Sequence, residues 1–267
     1  TVSHVESVDA RGIDNALLSD PSRATISSVG PQQVCSPVPT DHVDPTIDCA
    51  IGEYVLFDRP PLLVDMAIDG HPYAVFVNHF KSKREGEAET ALERLAQARY
   101  QNALVAGLLE AVPTSRVLVM GDLNDYELSA PLLTLTDPEI GGRLVNAMAT
   151  FPEADRYSYV FGGVANLLDA ILVSPAIENN LGQAGILHLH ADFPFSWTDE
   201  QLDPAVPYRF SDHDVPWIIW SHEQAAEATA EPTAEPVPTE FSTEIPPTTT
   251  TVASAVAATA ITTPQNI

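Results

Sequence analysis

Four short clusters in this chain carry residue types suited to chemistry on a phosphate ester. They are Asn78-His79-Phe80-Lys81-Ser82-Lys83, Gly121-Asp122-Leu123-Asn124, Leu168-Asp169 and Ser211-Asp212-His213-Asp214. Hydrolysis of a phosphodiester needs an in-line water, a base to take its proton, and positive charge against the negative charge that grows on phosphorus. Histidine serves as such a base near neutral pH once a carboxylate fixes its tautomer. Asp169 stands inside an apolar run, where an unpaired charge is heavily penalised by lost hydration. It therefore needs a partner, and His213 is the candidate. Asp122 and Asn124, two residues apart, project to one side of an extended segment, so that one can hold a water or a metal while the other donates a hydrogen bond. Singly, each cluster reads as a strand end or a polar turn. Four in this order, each where an apolar strand stops, point to a site.

The elements that must position these clusters are short apolar runs between turn residues. They predict strands over residues 12–18, 62–68, 73–79, 116–120, 157–161, 168–173 and 215–220. Asp69-Gly70 is a tight-turn signal that makes 62–79 an antiparallel hairpin. Between Glu87 and Ala111, apolar residues recur in steps of three and four at positions such as Leu92, Leu95, Tyr100, Leu104 and Leu108, until Pro113 stops the pattern. This predicts one amphipathic helix. Many strands, one clear helix and antiparallel turns argue for an α/β sandwich of two packed sheets rather than repeating βαβ units.

A chain of 267 residues with 45% hydrophobic content is long enough for one domain and an appendage. All 12 Lys and Arg lie between Arg11 and Arg209, and from Glu223 onward the chain is mostly Ala, Thr, Pro, Val and Glu, with Phe241 the only aromatic. The expected division is a domain over 1–221 and a Thr/Pro-rich tail over 222–267 that cannot form a core. Six glutamates of the tail leave −19 of the net charge of −25 on the rest. Such an acidic body counts against avid, sequence-independent binding of a polyanion. Lys81, Lys83, Arg84, Arg94 and Arg99 are expected to set a local positive rim beside His79. Cys35 and Cys49 lie in one Pro/Asp-rich stretch, and a disulfide between them is expected to pin that loop, which suits an oxidising compartment. No apolar run approaches membrane-spanning length.

The four clusters in this order resemble the endonuclease/exonuclease/phosphatase superfamily, the DNase I-like fold, over roughly residues 9–221. Within it the chain is similar to large bacterial secreted nucleases, on Asp9-Ala10-Arg11-Gly12-Ile13-Asp14, Gly121 through Glu127, Tyr157-Ser158-Tyr159-Val160-Phe161 and His188-Leu189-His190-Ala191-Asp192. The resemblance implies an α/β (α+β) sandwich of two mixed β-sheets flanked by helices, with the site where the loops of the sheets converge. It implies that His79 binds or polarises the scissile phosphate, and that Asp122 and Asn124 orient the water and contact a phosphate oxygen. Asp169 would hold His213 as general base, and Asp212 would help bind a divalent ion, with Mg2+ expected and Mn2+ or Ca2+ as alternatives. Asn78, Lys81 and Ser82 are expected to bind substrate.

Nucleic acid is the expected substrate and the outside of the cell the expected location, with DNA and RNA equally open. The superfamily's N-terminal half supplies an Asn and then a Glu that is the main metal ligand. Neither motif is present here, and Glu6 lacks the strand context. An N-terminally truncated domain that binds metal weakly is therefore expected. Two other readings stand beside the nuclease: a phosphodiesterase acting on a phospholipid or small phosphoester, and an inactive fragment or binding module that lacks the metal-ligand Glu.

Overall fold

The computed structural model describes residues 1–7, 9, 12–193 and 211–222, and of the tail expected over 222–267 all but His222 lies outside them. In the first part of the chain the strands are β1 (Val2–His4), β2 (Ala16–Leu18), β3 (Ala24–Pro31), β4 (Cys35–Ser36), β5 (Tyr54–Val55), β6 (Leu62–Ile68) and β7 (His71–His79). Helix α1 (Glu87–Ala111), strand β8 (Val117–Asp122), helix α2 (Ala130–Thr136) and strand β9 (Val145–Asn146) follow. The rest comprises β10 (Tyr159–Phe161), β11 (Val164–Asn166), β12 (Asp169–Val173), α3 (Pro175–Glu178), β13 (Leu181–Leu187) and β14 (Val215–Trp220).

Six strands form a mixed central sheet in the order β3-β6-β7-β8-β12-β9. Only β7 and β8 run parallel, joined through α1, and the other neighbours are antiparallel. Side chains alternate across this sheet. Ala74, Phe76, Val117, Val119, Ala170 and Leu172 enter one core beside α1 and α2. Tyr73, Val75, Leu118, Ile171 and Val173 enter a second core on the opposite face. Because both faces are covered, these strands read in sequence as unbroken apolar runs. The second layer consists of two separate ribbons, β1 with β2 and β13 with β14. Leu17, Leu181, Ala184, Ile218 and Trp220 pack from these ribbons against the second core.

The predicted helix, the hairpin and the last strand appear with the expected spans. The strand expected over 12–18 shortens to Ala16–Leu18. Gly12 turns the chain at φ 65°, the Asp14 carboxylate accepts from the Ser7 amide, and Asn15 donates to the Pro60 carbonyl. Strand β3 escapes the apolar pattern because it is an edge strand rich in Thr and Ser. Strand β13 escapes it through Gly182 and Gly185, the latter packed under the Trp217 ring.

Helix α1 departs from a simple amphipathic helix. Leu92 is exposed, while Glu93, Arg94, Gln97 and Gln101 are buried. The face turned toward the end of β7 is polar, and three of these four side chains have partners there. Arg94 donates to Asp125, Thr90 and the Glu87 carbonyl. Gln97 accepts from the Lys81 amide and donates to the Leu56 carbonyl, and Glu93 meets His42. The expected positive rim is correspondingly reduced. Arg94 is fully buried, Lys81 pairs with Glu85, and Lys83 pairs with Glu87 and Asp125, which leaves Arg84 and Arg99 exposed.

Gly121 permits the close approach of β8 to β7. Its φ is 122°, and a Cβ there would overlap the backbone carbonyl of Asn78. A strained dihedral and an immovable backbone clash together are worth about 2–4 kcal/mol. Gly121→Ala is expected to lose that amount in a urea melt, and an unchanged midpoint would show that β7 and β8 need no such approach.

Candidate active site

The sheet register builds the centre of the site. Parallel pairing sets His79 beside Asp122, and antiparallel pairing sets Asp169 beside Asp122 on the other side. The three residues therefore occupy one rung across β7, β8 and β12, and they continue the series of side chains that faces the ribbons. His213, which precedes β14, completes the group from the other layer. Its Nδ1 lies 2.6 Å from Asp169 Oδ2 and its Nε2 4.0 Å from Asp122 Oδ2.

Each member is oriented by something behind it. Ser158, fully buried, donates its hydroxyl to Asp169 Oδ2 at 2.7 Å and accepts from the amides of Leu168 and Asp169. The Tyr159 ring packs 4.8 Å from the His213 ring, centroid to centroid, and the two backbones form an isolated bridge. Asp122 accepts from the Asn124 amide at 2.8 Å and from Asn124 Nδ2 at 2.9 Å. Asn124 adopts φ 51° and also donates to the Phe80 carbonyl. Arg59, nearly buried, lies 2.8 Å from His79 Nδ1 and 3.6 Å from Asp9. A guanidinium only donates, so His79 Nδ1 accepts and the ring proton sits on Nε2, 3.6 Å from Asp122 Oδ2.

These contacts set the charges. Burial, and then the charge of Asp169, push the Asp122 carboxyl up to about 7. For His213, burial acts to lower the imidazole but is outweighed by the hydrogen bond and charge of Asp169, aided by Asp122 and Asp212, which raise it to about 9. Below the rung, burial raises Asp125, but Lys83 and Arg94 outweigh it and hold this carboxyl below its usual range. Asp214, the last residue of the fourth cluster, is buried, and burial alone would raise it. Amides of Ala191, His190 and Leu189 together with His188 lower it instead, which ties the loop before β14 to the end of β13.

The structure thus brings together His79, Asp122, Asn124, Asp169 and His213. Lys81 and Ser82 line a cleft next to His79. Asp212 is exposed beside His213. Asn78 does not join them: it is buried on the opposite face of β7, where its Nδ2 points to the Phe76 carbonyl, because strand alternation turns it away from the face that His79 shares. Arg59 and Ser158 escaped the sequence reading. Ser158 lies within the motif Tyr157-Ser158-Tyr159-Val160-Phe161, and the only signal for Arg59 is its position just before Pro60-Pro61.

Asp122, Asp169 and His213 are one of two groups among the described residues whose donor atoms lie close enough to share a metal ion. The other, His4, Glu6 and Asp14, has both His4 and Glu6 exposed. In the first group Asp169 Oδ2 already accepts from His213 and Ser158. Asp122 is the carboxylate left to face an ion.

The sequence profile of the endonuclease/exonuclease/phosphatase family matches residues 1–187. This chain belongs to that family. The match ends before His213, which reaches the endonuclease/exonuclease/phosphatase site through the fold. No curated protein matches the chain in sequence. Among solved structures it is similar to an endonuclease/exonuclease/phosphatase from Bacteroides vulgatus, at 16% identity and a TM-score of 0.51, over 81% of this chain and 73% of that one. It is also similar to humanized D. rerio TDP2, at 16% identity and a TM-score of 0.48, over 75% and 69% of the two chains. A functionally unknown conserved protein from Enterococcus faecalis V583 resembles it at 16% identity and a TM-score of 0.48, over 83% and 77%. At its 16% identity, the likeness to the Bacteroides vulgatus protein concerns the fold alone. Family and fold together identify a hydrolase of the endonuclease/exonuclease/phosphatase superfamily.

The pairing of His213 with Asp169 has a measurable signature. Its folded value of about 9 lies above the ordinary 6.5, so the pairing stabilises the fold fully below the lower value and loses that contribution as pH rises through the higher one. An NMR titration of the His213 ring is expected to find it cationic at neutral pH, and Asp169→Asn is expected to return it toward the ordinary value. Equal titration of both proteins would refute the pairing.

Proposed function

We propose that the chain is a divalent-metal-dependent phosphodiester hydrolase, a secreted nuclease that cleaves DNA or RNA by in-line attack of water. One observation carries the reading: two imidazole Nε2 atoms, of His79 and His213, converge on Asp122 Oδ2. His79 Nδ1 accepts from Arg59, which leaves the proton on Nε2, and His213, kept cationic by Asp169, carries a proton on both nitrogens, so both Nε2 atoms present N–H groups. A phosphate oxygen beside them gains two donors, one of them cationic, as negative charge develops. The attacking water and its proton fall to the group of Asp122, Asp169 and His213.

The donor set fits a largely hydrated ion. A hard cation such as Mg2+ uses one or two carboxylates and keeps several waters. Asp122 would hold it, since a carboxylate offers about four lone-pair sites and the chain itself leaves the buried charge of Asp122 under-compensated. Asp212 stands beside His213 as a second carboxylate. Such an ion supplies Lewis-acid stabilisation of the phosphoryl charge. Mn2+ or Ca2+ would meet the same oxygens. The pairing of Lys81, Lys83 and Arg94 with acids favours a second reading, in which a phospholipid or small phosphoester is the substrate, because few cations remain to bind a long polyanion.

Digestion of plasmid DNA and of RNA with Mg2+, Mn2+ or Ca2+, and with EDTA, tests the proposal. Cleavage that EDTA abolishes is expected. Asp122→Asn and His213→Ala are each expected to lower the rate about 10²–10⁴-fold with the circular dichroism spectrum intact. Intact nucleic acid alongside hydrolysis of a phosphodiester lipid would replace the nuclease by the second reading.

A further inference from the structure

A polar cleft of about 440 Å³ opens beside His79, the one member of the rung that lines it. His79, Arg59, Asp41, His42 and Val43 are among the residues that line it. Asp41, His42 and Val43 belong to the loop between Cys35 and Cys49, which are joined by a disulfide. Three further contacts fix this loop. Ser36 pairs with Tyr54 in the short β4–β5 ribbon. Thr40 donates to the Val55 carbonyl at 2.7 Å. His42 Nε2 lies 2.7 Å from Glu93 Oε1, with both side chains nearly buried. A carboxylate only accepts, so His42 donates. Glu93 also accepts from Gln97, whose Oε1 receives the Lys81 amide. One chain of hydrogen bonds therefore runs from the disulfide loop through the polar face of α1 to the segment that follows His79.

We propose that this loop is the wall of a substrate subsite that takes the nucleotide on one side of the scissile phosphate, with His42 as its positioning residue. The inference rests on the nuclease reading. A phosphate held at His79 has ester groups on both sides, and the cleft begins at His79 itself. Its volume falls in the range of small-molecule sites, roughly 300–1,000 Å³. No Phe, Tyr or Trp is among the described residues that line it. Recognition there works through hydrogen bonds to the sugar rather than through base stacking, because Asp41, Asp58, Glu85 and Glu93 are also in the lining and disfavour a second phosphate. Such contacts carry little sequence information, so the subsite favours a polynucleotide over a minimal diester without selecting a base.

The test compares kcat/KM for an oligonucleotide with kcat/KM for bis(4-nitrophenyl) phosphate, a diester too small to fill the cleft. In Cys35→Ser/Cys49→Ser and in His42→Ala, the ratio of the two is expected to fall about fivefold or more, mainly through KM for the oligonucleotide. His42→Gln, which can still donate to Glu93, is expected to recover most of it. An unchanged ratio in His42→Ala, or equal losses on both substrates, overturns the subsite while leaving the nuclease reading in place. If the double cysteine variant does not fold, the two His42 variants decide alone. A wild type that hydrolyses only the small diester overturns the nuclease reading, and the nucleotide subsite with it.

Discussion

Two carboxylates sit side by side on neighbouring strands, and the rest of the site is arranged around that fact. Asp122 and Asp169 are register partners, and like charges in directly opposed positions repel. The chain resolves the conflict by placing one imidazolium between them. His213 bonds Asp169 and faces Asp122, Ser158 holds the far side of Asp169, and Asn124 holds Asp122. Three groups with two negative charges and one positive leave a net negative centre in a half-buried site. Such a centre takes up positive charge at Asp122, as a proton or as a cation. The same electrostatic imbalance underlies both.

What the sequence revealed follows from how local the determining physics was. A run with both faces buried is visible as a run, so the central strands and the hairpin could be read directly. The need of Asp169 for a partner was readable from desolvation alone, because an acid inside Leu-Asp-Ala-Ile-Leu has no other resolution. Arg59 had no such signature. Its position against His79 depends on where the loop before β6 meets the end of β7. Arg94 misled for the opposite reason, since a charged residue in a helix reads as solvated, and its burial depends on Asp125, far away in sequence. Asn78 misled through adjacency: it is next to His79 in the chain and across the sheet from it in space.

The helix between β7 and β8 consequently does two jobs. Its apolar residues close the first core, and its polar face braces both the start of the loop after β8, through Asp125, and the disulfide loop, through Glu93. Cations that would have formed a rim are used inside this brace. An acidic protein of this kind gains little from long-range attraction of a polyanion, so recognition has to come from short-range contacts.

Because His79, Asp122 and Asp169 share one rung, their proximity is a property of register, which changes only in whole residues. A slip of one position between β8 and β12 would send Asp169 to the other face of the sheet and strand His213 without its anchor. The rung is therefore a discrete reporter of correct sheet pairing rather than a feature that ripens gradually as the core compacts, and His213 is added to it from the other layer.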